Sequence, residues 1–262
     1  MQLREKRIIV TGGASGIGAS TVKAYVREGA QVASLDMMDE AGLQLVAAAN
    51  AQAQHGGHAT FYHCNIAEPE EVFSTFEMAV TQLGGLDVLA HIAGIDRSKP
   101  AEDWTLAEMN LMWSINLNGT ILCDQAACRQ FANEGKGAII NFASDVAMAG
   151  MPNGAIYAAS KGAVLSWTRT IAMEWASKYN VRCNCVNPTM KTPMFEEYKA
   201  SLTPDALKMF LASEKQRVPL GGEMGDADRD MAPVMVFLAS DASHFINGQI
   251  IPVNGGRVML RG

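Results

Sequence analysis

Two features are absent from this 262-residue sequence: a long apolar run and an excess of basic residues. A membrane-spanning helix needs roughly 18 or more consecutive apolar residues, and no stretch approaches that length. Lysine and arginine number 21 against 27 aspartates and glutamates, so no basic surface is available to neutralise nucleic-acid phosphates. The start, MQLREKRIIV, passes from charged residues into a short apolar segment and lacks the apolar run of a secretory signal. We therefore expect a cytoplasmic protein that binds neither membranes nor nucleic acids.

Cysteine is scarce, and no two cysteines form a CxxC pair. The cysteines are an odd set of five, at Cys64, Cys123, Cys128, Cys183 and Cys185. Cys183 and Cys185 share one face if they lie on a strand, but no cluster of histidines or carboxylates completes a metal site. The sequence thus predicts free thiols in a reducing compartment and no bound metal.

Short apolar segments alternate with segments of helical spacing along the whole chain. The predicted strands cover 7–10, 31–35, 59–64, 86–92, 138–142, 181–186 and 249–253. The predicted helices cover 19–28, 39–54, 69–83, 106–133, 156–179 and 228–239. Most strand segments are apolar throughout, as in strands buried on both faces of a parallel sheet. Without repeats or linkers, this pattern predicts one α/β domain over 1–262, a doubly wound (Rossmann) parallel sheet of about seven strands with helices on both faces.

One long segment departs from this alternation. Residues 187–225 contain four prolines and the glycine-rich stretch PLGGEMG between two predicted elements. Insertions of this length in compact domains are usually functional or disordered. Because the segment also carries apolar residues such as Met190 and Phe210, we predict a partly helical substrate-binding flap at about 188–225.

A glycine-rich turn, TGGASGIG at residues 11–18, follows the first predicted strand. Gly12 permits a tight turn, Gly16 lets the backbone approach a ligand closely, and Gly18 lets the next helix pack on the strand. The N-terminus of that helix offers unpaired N–H groups and a positive dipole end to a pyrophosphate. A purely structural turn is the alternative, because a glycine cluster alone is a weak motif.

Asp36 ends the second predicted strand, 18 residues after Gly18. A carboxylate there can accept hydrogen bonds from the ribose hydroxyls of an adenosine, and it repels a 2′-phosphate. No arginine or lysine follows it directly, and Ser15 rather than a basic residue precedes Gly16. The sequence therefore predicts NAD rather than NADP as cofactor. The alternative is an exposed loop aspartate without a role.

Tyr157 and Lys161 are one turn apart on a predicted helix. Residues at i and i+4 meet on one face, and an ammonium near a phenol favours the phenolate and lowers its pKa. Such a phenol can accept a proton from a secondary alcohol or return it to a ketone. Ser144 ends a strand upstream of this pair, where its hydroxyl can hold the substrate oxygen. The alternative is a packed aromatic side chain and a surface charge.

With these motifs the chain resembles the short-chain dehydrogenase/reductase family over nearly its whole length. The matching stretches are TGGASGIG, the acid at Asp36, WSINLNG, GAIINFAS, YAASK, VRCNCVNPTMKTPM and FLASDASHFINGQIIPVNGG. In that family a Ser, a Tyr, a Lys and an Asn are catalytic, which implies Ser144, Tyr157, Lys161 and Asn116 here. The cofactor-binding residues implied by the resemblance and the turn are Gly12, Ser15, Gly16, Ile17, Gly18, Asp36, Asn65, Ile66, Ala93, Gly94, Tyr157, Lys161, Pro188, Thr189 and Thr192. The resemblance also implies a homotetramer.

Three positions depart from the family pattern. The usual NNAG reads HIAG, and we interpret His91 as a core histidine rather than a base. Asn65 stands where the family usually has Asp, and Thr189 where it usually has the Gly of NPG. These departures bear on cofactor affinity, because none of them removes a member of the catalytic set.

The predicted substrate lining is mostly apolar. It comprises Ser144, Val146, Met151, Met190, Met194 and Phe195. Methionines adapt to irregular shapes and suit an aliphatic or alicyclic ligand. The sequence therefore predicts an NAD-dependent dehydrogenase for a hydrophobic secondary alcohol and its ketone. The alternatives are a reductase of 3-oxoacyl thioesters on an acyl carrier protein and a dinucleotide-sensing protein without turnover.

Overall fold

Seven parallel strands form one sheet within residues 1–259, the part of the chain that the computed structural model describes. In one helix, the side chains of Met194, Glu197, Tyr198 and Ser201 are outside this description. The strands are β1 (Arg7–Thr11), β2 (Gln31–Asp36), β3 (His58–His63), β4 (Val88–His91), β5 (Gly137–Phe142), β6 (Val181–Pro188) and β7 (Ile250–Val253). They lie in the order β3-β2-β1-β4-β5-β6-β7. The predicted seven-stranded parallel sheet is confirmed.

Helices connect the strands on both faces of the sheet. They are α1 (Gly16–Arg27), α2 (Asp39–Ala51), α3 (Pro69–Leu83), α4 (Leu106–Trp113), α5 (Thr120–Glu134), α6 (Val146–Ala149), α7 (Ala155–Tyr179), α8 (Pro193–Ser201), α9 (Pro204–Arg217) and α10 (Ala232–Ala239). The helix predicted over 106–133 is interrupted by a π-helical segment at Ser114–Gly119. Helical periodicity alone did not reveal this interruption, since both sides of it keep an apolar face.

Neighbouring residues of one strand pack into two different cores. Ile8 and Val10 of β1 belong to the core that includes side chains of α1, α2 and α10, whereas Ile9 between them belongs to the core that includes those of α3, α5 and α7. In β5, Ile140 and Ile139 divide in the same way. Successive side chains of a strand point to opposite faces, so a sheet covered on both faces needs apolar residues at every position. This is why the strand segments read as unbroken apolar runs.

The strand order reverses at β1, which lies between β2 and β4. Connections from this point lead to opposite sides, so the carboxyl ends of β1 and β4 are free to border a crevice. Beneath it, Thr11 Oγ1 lies 2.9 Å from His91 Nδ1. Burial lowers the pKa of His91 to about 3, so the imidazole is neutral at physiological pH. His91 is buried in the core as the sequence predicts, although its Nε2 has no hydrogen-bond partner among the described residues.

The segment predicted as a flap contains two helices, α8 and α9. Its ends are joined, because Lys191 N–H donates to the Gly225 carbonyl (2.8 Å) and Gly225 N–H donates to the Thr189 carbonyl (3.0 Å). Inside it, the rings of Phe195 and Phe210 have centroids 5.8 Å apart. The partly helical character is therefore present, while the covering of a substrate by this segment stays a prediction.

All five cysteines are buried and free. No helix within residues 1–259 combines the length and the apolar character that a bilayer crossing requires.

A buried carboxylate joins two helices and a strand by hydrogen bonds. Asp124 of α5 is fully buried, and its Oδ2 accepts hydrogen bonds from Asn141 Nδ2 of β5 and Trp167 Nε1 of α7, both at 2.8 Å. Its Oδ1 has no hydrogen-bond partner among the described residues. Burial raises the pKa of Asp124 to about 7, against the opposing effect of the two donors.

This pKa makes stability depend on pH in a definite direction. Between the ordinary Asp pKa and about 7, the folded protein holds a proton that the unfolded chain has released, so stability falls as pH rises through this window. We expect Asp124→Asn to raise Tm at pH 8, because the variant no longer has to ionise a buried carboxyl group. Each kcal/mol of stability gained in this way corresponds to about 2–4 °C in Tm. At pH 5 we expect little change in Tm. Calorimetry at both pH values measures this. Asp103→Asn, an exposed control, leaves both values unchanged, and an Asp124→Asn variant less stable at pH 8 would contradict the argument.

Candidate active site

A cleft of about 530 Å³ opens at the carboxyl ends of β1, β2, β4 and β5. Most of the predicted cofactor residues line it, from six separate parts of the chain. They are Gly12, Ser15, Gly16, Ile17, Gly18, Asp36, Asn65, Ile66, Ala93, Gly94, Tyr157, Lys161, Pro188 and Thr192. The fold therefore brings the glycine turn, the β2 acid and the Tyr-Lys pair into one cavity.

The glycine turn is shaped by close backbone contacts. Gly12 has a φ of +69°, and a Cβ on it would lie 2.8 Å from the Cα of Ala93 in the turn after β4. A Cβ on Gly18 would lie 1.9 Å from the Gly12 carbonyl oxygen, so α1 packs directly on the turn. Gly16 has a φ of +53°, and a Cβ on it would come no closer than 3.6 Å to Pro193, an ordinary van der Waals contact, so its conformation rather than its size requires glycine.

These contacts leave the start of α1 facing the cleft. Gly16, Ile17 and Gly18 line it, and the first N–H groups of a helix have no partner within the helix. Such a terminus fits a pyrophosphate, because it combines unpaired donors with the positive end of the helix dipole.

Asp36 is held rigidly at the side of the cleft. Its Oδ2 accepts from Ala14 N–H (3.0 Å) and its Oδ1 from Met38 N–H (3.1 Å). Each carboxylate oxygen keeps a further lone pair for a ribose hydroxyl. Lys161 is the only cation among the described residues that line the cleft, so no basic side chain there awaits a 2′-phosphate. The residues present therefore fit a dinucleotide that ends in an unphosphorylated ribose.

The residues predicted to be catalytic meet at the other end of the cleft. Tyr157 of α7 lines it, and a hydrogen bond joins its hydroxyl to that of Ser144, which follows β5. Lys161 is buried, and its Nζ donates to the Phe142 carbonyl at 2.9 Å. A Cβ on Gly94 would lie 3.2 Å from this Nζ, so the turn after β4 passes directly beside the ammonium.

The electrostatics of the pair differ from the expectation based on spacing. In the free protein, burial raises the pKa of Tyr157, the Asp96 charge raises it further, and the hydrogen bond with Ser144 lowers it. Burial also lowers the pKa of Lys161 to about 8. The expected lowering of the phenol pKa by the ammonium is thus wrong for the free protein. The helical spacing does not account for the removal of both groups from water, which favours their neutral forms.

Asn116 fastens the loop after β4 to the helix layer. It lies in the π-helical segment and is fully buried. Its Nδ2 donates to the Ile95 carbonyl and its Oδ1 accepts from Ile95 N–H, both at 2.8 Å. The Nδ2 also donates to Ser160 Oγ (3.1 Å) on α7. One amide side chain therefore sets the position of the loop relative to the helix of Tyr157 and Lys161.

Thr189 is the predicted cofactor residue that does not line the cleft. It is buried, and its Oγ1 donates to Asp145 Oδ2 at 2.9 Å. Asn254 Nδ2 donates to both oxygens of the same carboxylate, at 3.0 and 2.9 Å. Because Asp145 follows Ser144 directly, this buried cluster holds the end of β5 in place.

The predicted substrate residues are only partly brought together. Met190 lines the cleft. Ser144 is not part of the lining, but its hydroxyl is hydrogen-bonded to Tyr157, which is. Outside the lining, Val146 begins α6, Met151 packs near Gly154, and Phe195 packs on Phe210. The side chain of Met194 lies outside the described part of the chain.

Sequence reasoning missed Asp96, a carboxylate that lines the cleft beside Tyr157 and Lys161. The available signal was its position two residues after Gly94, in the loop that follows a strand bordering the crevice. An isolated aspartate in a loop carries no motif, so its meaning depends on what surrounds it.

Known proteins resemble this chain over nearly all of its length. Residues 12–257 match a family model described as enoyl-(acyl carrier protein) reductase. A D-threitol dehydrogenase of Mycolicibacterium smegmatis is 33% identical over 256 residues, covering 97% of this chain and 94% of that protein. A 3-oxoacyl-(acyl-carrier-protein) reductase of Thermotoga maritima is 33% identical over 265 residues, covering 99% of this chain and 100% of that protein. A crystal structure of an NAD⁺-bound xylitol dehydrogenase has a TM-score of 0.88 at 30% identity, covering 98% of this chain and 100% of that one.

The two hydrogen bonds between the Asn116 side chain and the Ile95 backbone lead to a stability prediction. Asn116→Ala leaves the N–H and C=O of Ile95 without their partners, so we expect a loss of about 2–4 kcal/mol of unfolding free energy. Urea denaturation measures this loss. Asn118→Ala is the matched control, since Asn118 is an exposed asparagine of the same π-helical segment and its loss changes stability by less than about 0.5 kcal/mol. Equal effects of the two variants would show that the hydrogen bonds between Asn116 and Ile95 contribute nothing to the unfolding free energy.

Proposed function

The chain belongs to the short-chain dehydrogenase/reductase family, and from this premise we propose that it is an NAD-dependent oxidoreductase that interconverts a small secondary alcohol and its ketone. The observation that carries the proposal is the hydroxyl pair of Tyr157 and Ser144 beside the buried Lys161, at the end of a cleft that fits a dinucleotide. Relatives named for threitol and xylitol support a small alcohol as substrate.

NAD is the proposed cofactor because of the charge around Asp36. The carboxylate is fixed by two backbone N–H groups, and the described residues of the lining offer no cation that could bind a 2′-phosphate. The NAD⁺-bound xylitol dehydrogenase of similar fold is consistent with this choice. When bound, the nicotinamide supplies the acceptor or donor of the hydride.

The chain's own side chains handle the proton and the substrate oxygen. In oxidation, Tyr157 Oη takes the proton of the substrate hydroxyl, while the Ser144 hydroxyl holds the substrate oxygen at the same point. In reduction, Tyr157 returns the proton to the developing alkoxide. Lys161 places a positive charge behind the phenol and, by the family resemblance, also binds the ribose hydroxyls of the nicotinamide.

The direction of the pKa shifts favours one protonation state. Because burial and Asp96 raise the pKa of Tyr157, the phenol carries its proton at neutral pH in the free protein. This is the form that donates to a ketone. Oxidation of an alcohol needs the phenolate, so its rate rises as pH increases towards the alkaline range.

We propose a hydrophobic substrate body, for which Met190 and the apolar flap residues supply the surface. The acyl carrier reductase of Thermotoga maritima keeps the alternative of 3-oxoacyl-thioester reduction open. Against it, two lysines of the flap are already paired with carboxylates, Lys191 with Glu223 and Lys199 with Glu196, each at 2.6 Å. A non-catalytic sensor has no use for the complete Ser-Tyr-Lys-Asn set.

We also propose a homotetramer in the cytoplasm. The support is the family resemblance, together with large apolar side chains exposed on two helices: Leu111 (39% exposed) and Trp113 (36%) on α4 and Met173 (79%) on α7. Pairing these helices between subunits removes that surface from water.

The role of Tyr157 predicts the effect of deleting its hydroxyl. Tyr157→Phe keeps the ring in place but removes the proton acceptor, so kcat falls by at least about 100-fold. Initial rates at the nicotinamide absorbance band measure this, and circular dichroism verifies the fold. Tyr179→Phe, at the end of the same helix, retains full turnover. A Tyr157→Phe enzyme of near wild-type activity would rule out Tyr157 as the acid/base.

The role of Asp36 predicts the cofactor preference. The wild-type protein uses NAD at least about tenfold more efficiently than NADP, because the carboxylate repels the 2′-phosphate. Asp36→Ala removes this repulsion, so the ratio of kcat/KM with NAD to kcat/KM with NADP becomes smaller. Asp39→Ala, an exposed carboxylate three residues on, leaves the ratio unchanged. A wild-type preference for NADP would overturn the assignment.

A further inference from the structure

Asp96 is the second carboxylate of the cleft, at the reacting end. It lines the cavity together with Tyr157 and Lys161, and its charge acts on both of them. Its Oδ1 is buried and has no hydrogen-bond partner among the described residues. A buried carboxylate oxygen without a donor is costly, so its retention calls for a partner that the protein alone does not supply.

The position of Asp96 is set by the residue before it. Ile95 is held through both its N–H and its carbonyl by Asn116, at 2.8 Å each. On the other side, Lys99 is tied to both carboxylate oxygens of Glu108 at 2.7 Å. The loop that carries Asp96 is therefore held in place on both sides of this residue. A carboxylate in a fixed position loses little conformational entropy when it accepts a hydrogen bond from a ligand.

The charges of the cleft restrict what this carboxylate can meet. An ionised carboxylate only accepts hydrogen bonds, so its partner must be a donor. Lys161 is the only cation of the described lining, and its Nζ donates to the Phe142 carbonyl but not to Asp96 Oδ1. Asp96 also repels any carboxylate, sulfonate or phosphate on a substrate that reaches Tyr157.

The geometry points to Asp96 as a specificity residue that accepts a hydrogen bond from a second hydroxyl of the substrate, next to the hydroxyl that reacts at Tyr157. The substrate class is then a diol or hydroxyketone with an uncharged body, rather than a simple alcohol or a hydroxy acid. This inference rests on the proposed dehydrogenase function. A substrate amine is the other donor that fits the same carboxylate, and the test separates it.

The test compares substrates that share one ring. Cyclohexanol, cis- and trans-cyclohexane-1,2-diol, 2-aminocyclohexanol and 2-hydroxycyclohexanecarboxylate are oxidised with NAD, and kcat/KM is measured for each. A short-chain series of 2-butanol and 2,3-butanediol is run in parallel, so that ring size does not decide the result. The enzymes are the wild type, Asp96→Asn, Asp96→Ala and the control Asp103→Asn.

We expect the wild type to prefer a diol over the matched monoalcohol by about 10- to 100-fold, the effect of one hydrogen bond to a charged group. Asp96→Ala brings the ratio close to one, and Asp96→Asn gives an intermediate ratio because an amide oxygen still accepts. The ratio is the decisive quantity, since a change in the Tyr157 pKa affects both substrates alike. Asp103→Asn keeps the wild-type ratio.

Other outcomes overturn the inference in distinguishable ways. If the wild type oxidises monoalcohols and diols equally well, the proposed dehydrogenase function is supported and the proposed role of Asp96 is refuted. The same holds if both Asp96 variants keep the diol preference, or if the amino alcohol or the hydroxy acid is the preferred substrate. If no member of either series is oxidised with NAD or NADP while dinucleotide still binds, the proposed function fails together with the inference.

Discussion

The close approach of two backbone turns, after β1 and after β4, underlies the rest of the site. Gly12 lies so near Ala93 that a Cβ would come within 2.8 Å of its backbone, and a Cβ on Gly18 would lie only 1.9 Å from the Gly12 carbonyl oxygen. These contacts are possible because the sheet order reverses at β1, which leaves both turns on one edge. The start of α1, Asp36 and the β4 loop consequently border the same cavity.

Burial governs the protonation of the side chains at the Tyr157 end of that cavity. Removal from water raises the pKa of Tyr157 and lowers that of Lys161 to about 8, so both shifts move towards the neutral forms. Asp96 adds a negative charge that opposes the phenolate and supports the ammonium. The site is therefore a balance of three ionisable groups, in which the carboxylate that the Tyr-Lys motif does not contain has a direct influence on the other two.

Polar side chains inside the protein hold this arrangement in register. Asn116 joins the β4 loop to α7, Asp145 joins the end of β5 to Thr189 and Asn254, and Asp124 joins α5 to β5 and α7. Each of them joins neighbouring elements. Hydrogen bonds are directional and add a preferred relative position to the non-directional hydrophobic effect.

The sequence by itself determined the seven strands and the glycine turn, because apolar periodicity and glycine spacing are local properties of the chain. It did not reveal the π-helical interruption at Ser114–Gly119, the burial of Thr189 against Asp145, or the direction of the Tyr157 pKa shift. Nor did it single out Asp96. Only the tertiary structure decided these, since desolvation and the partner of a lone polar group depend on residues far apart along the chain.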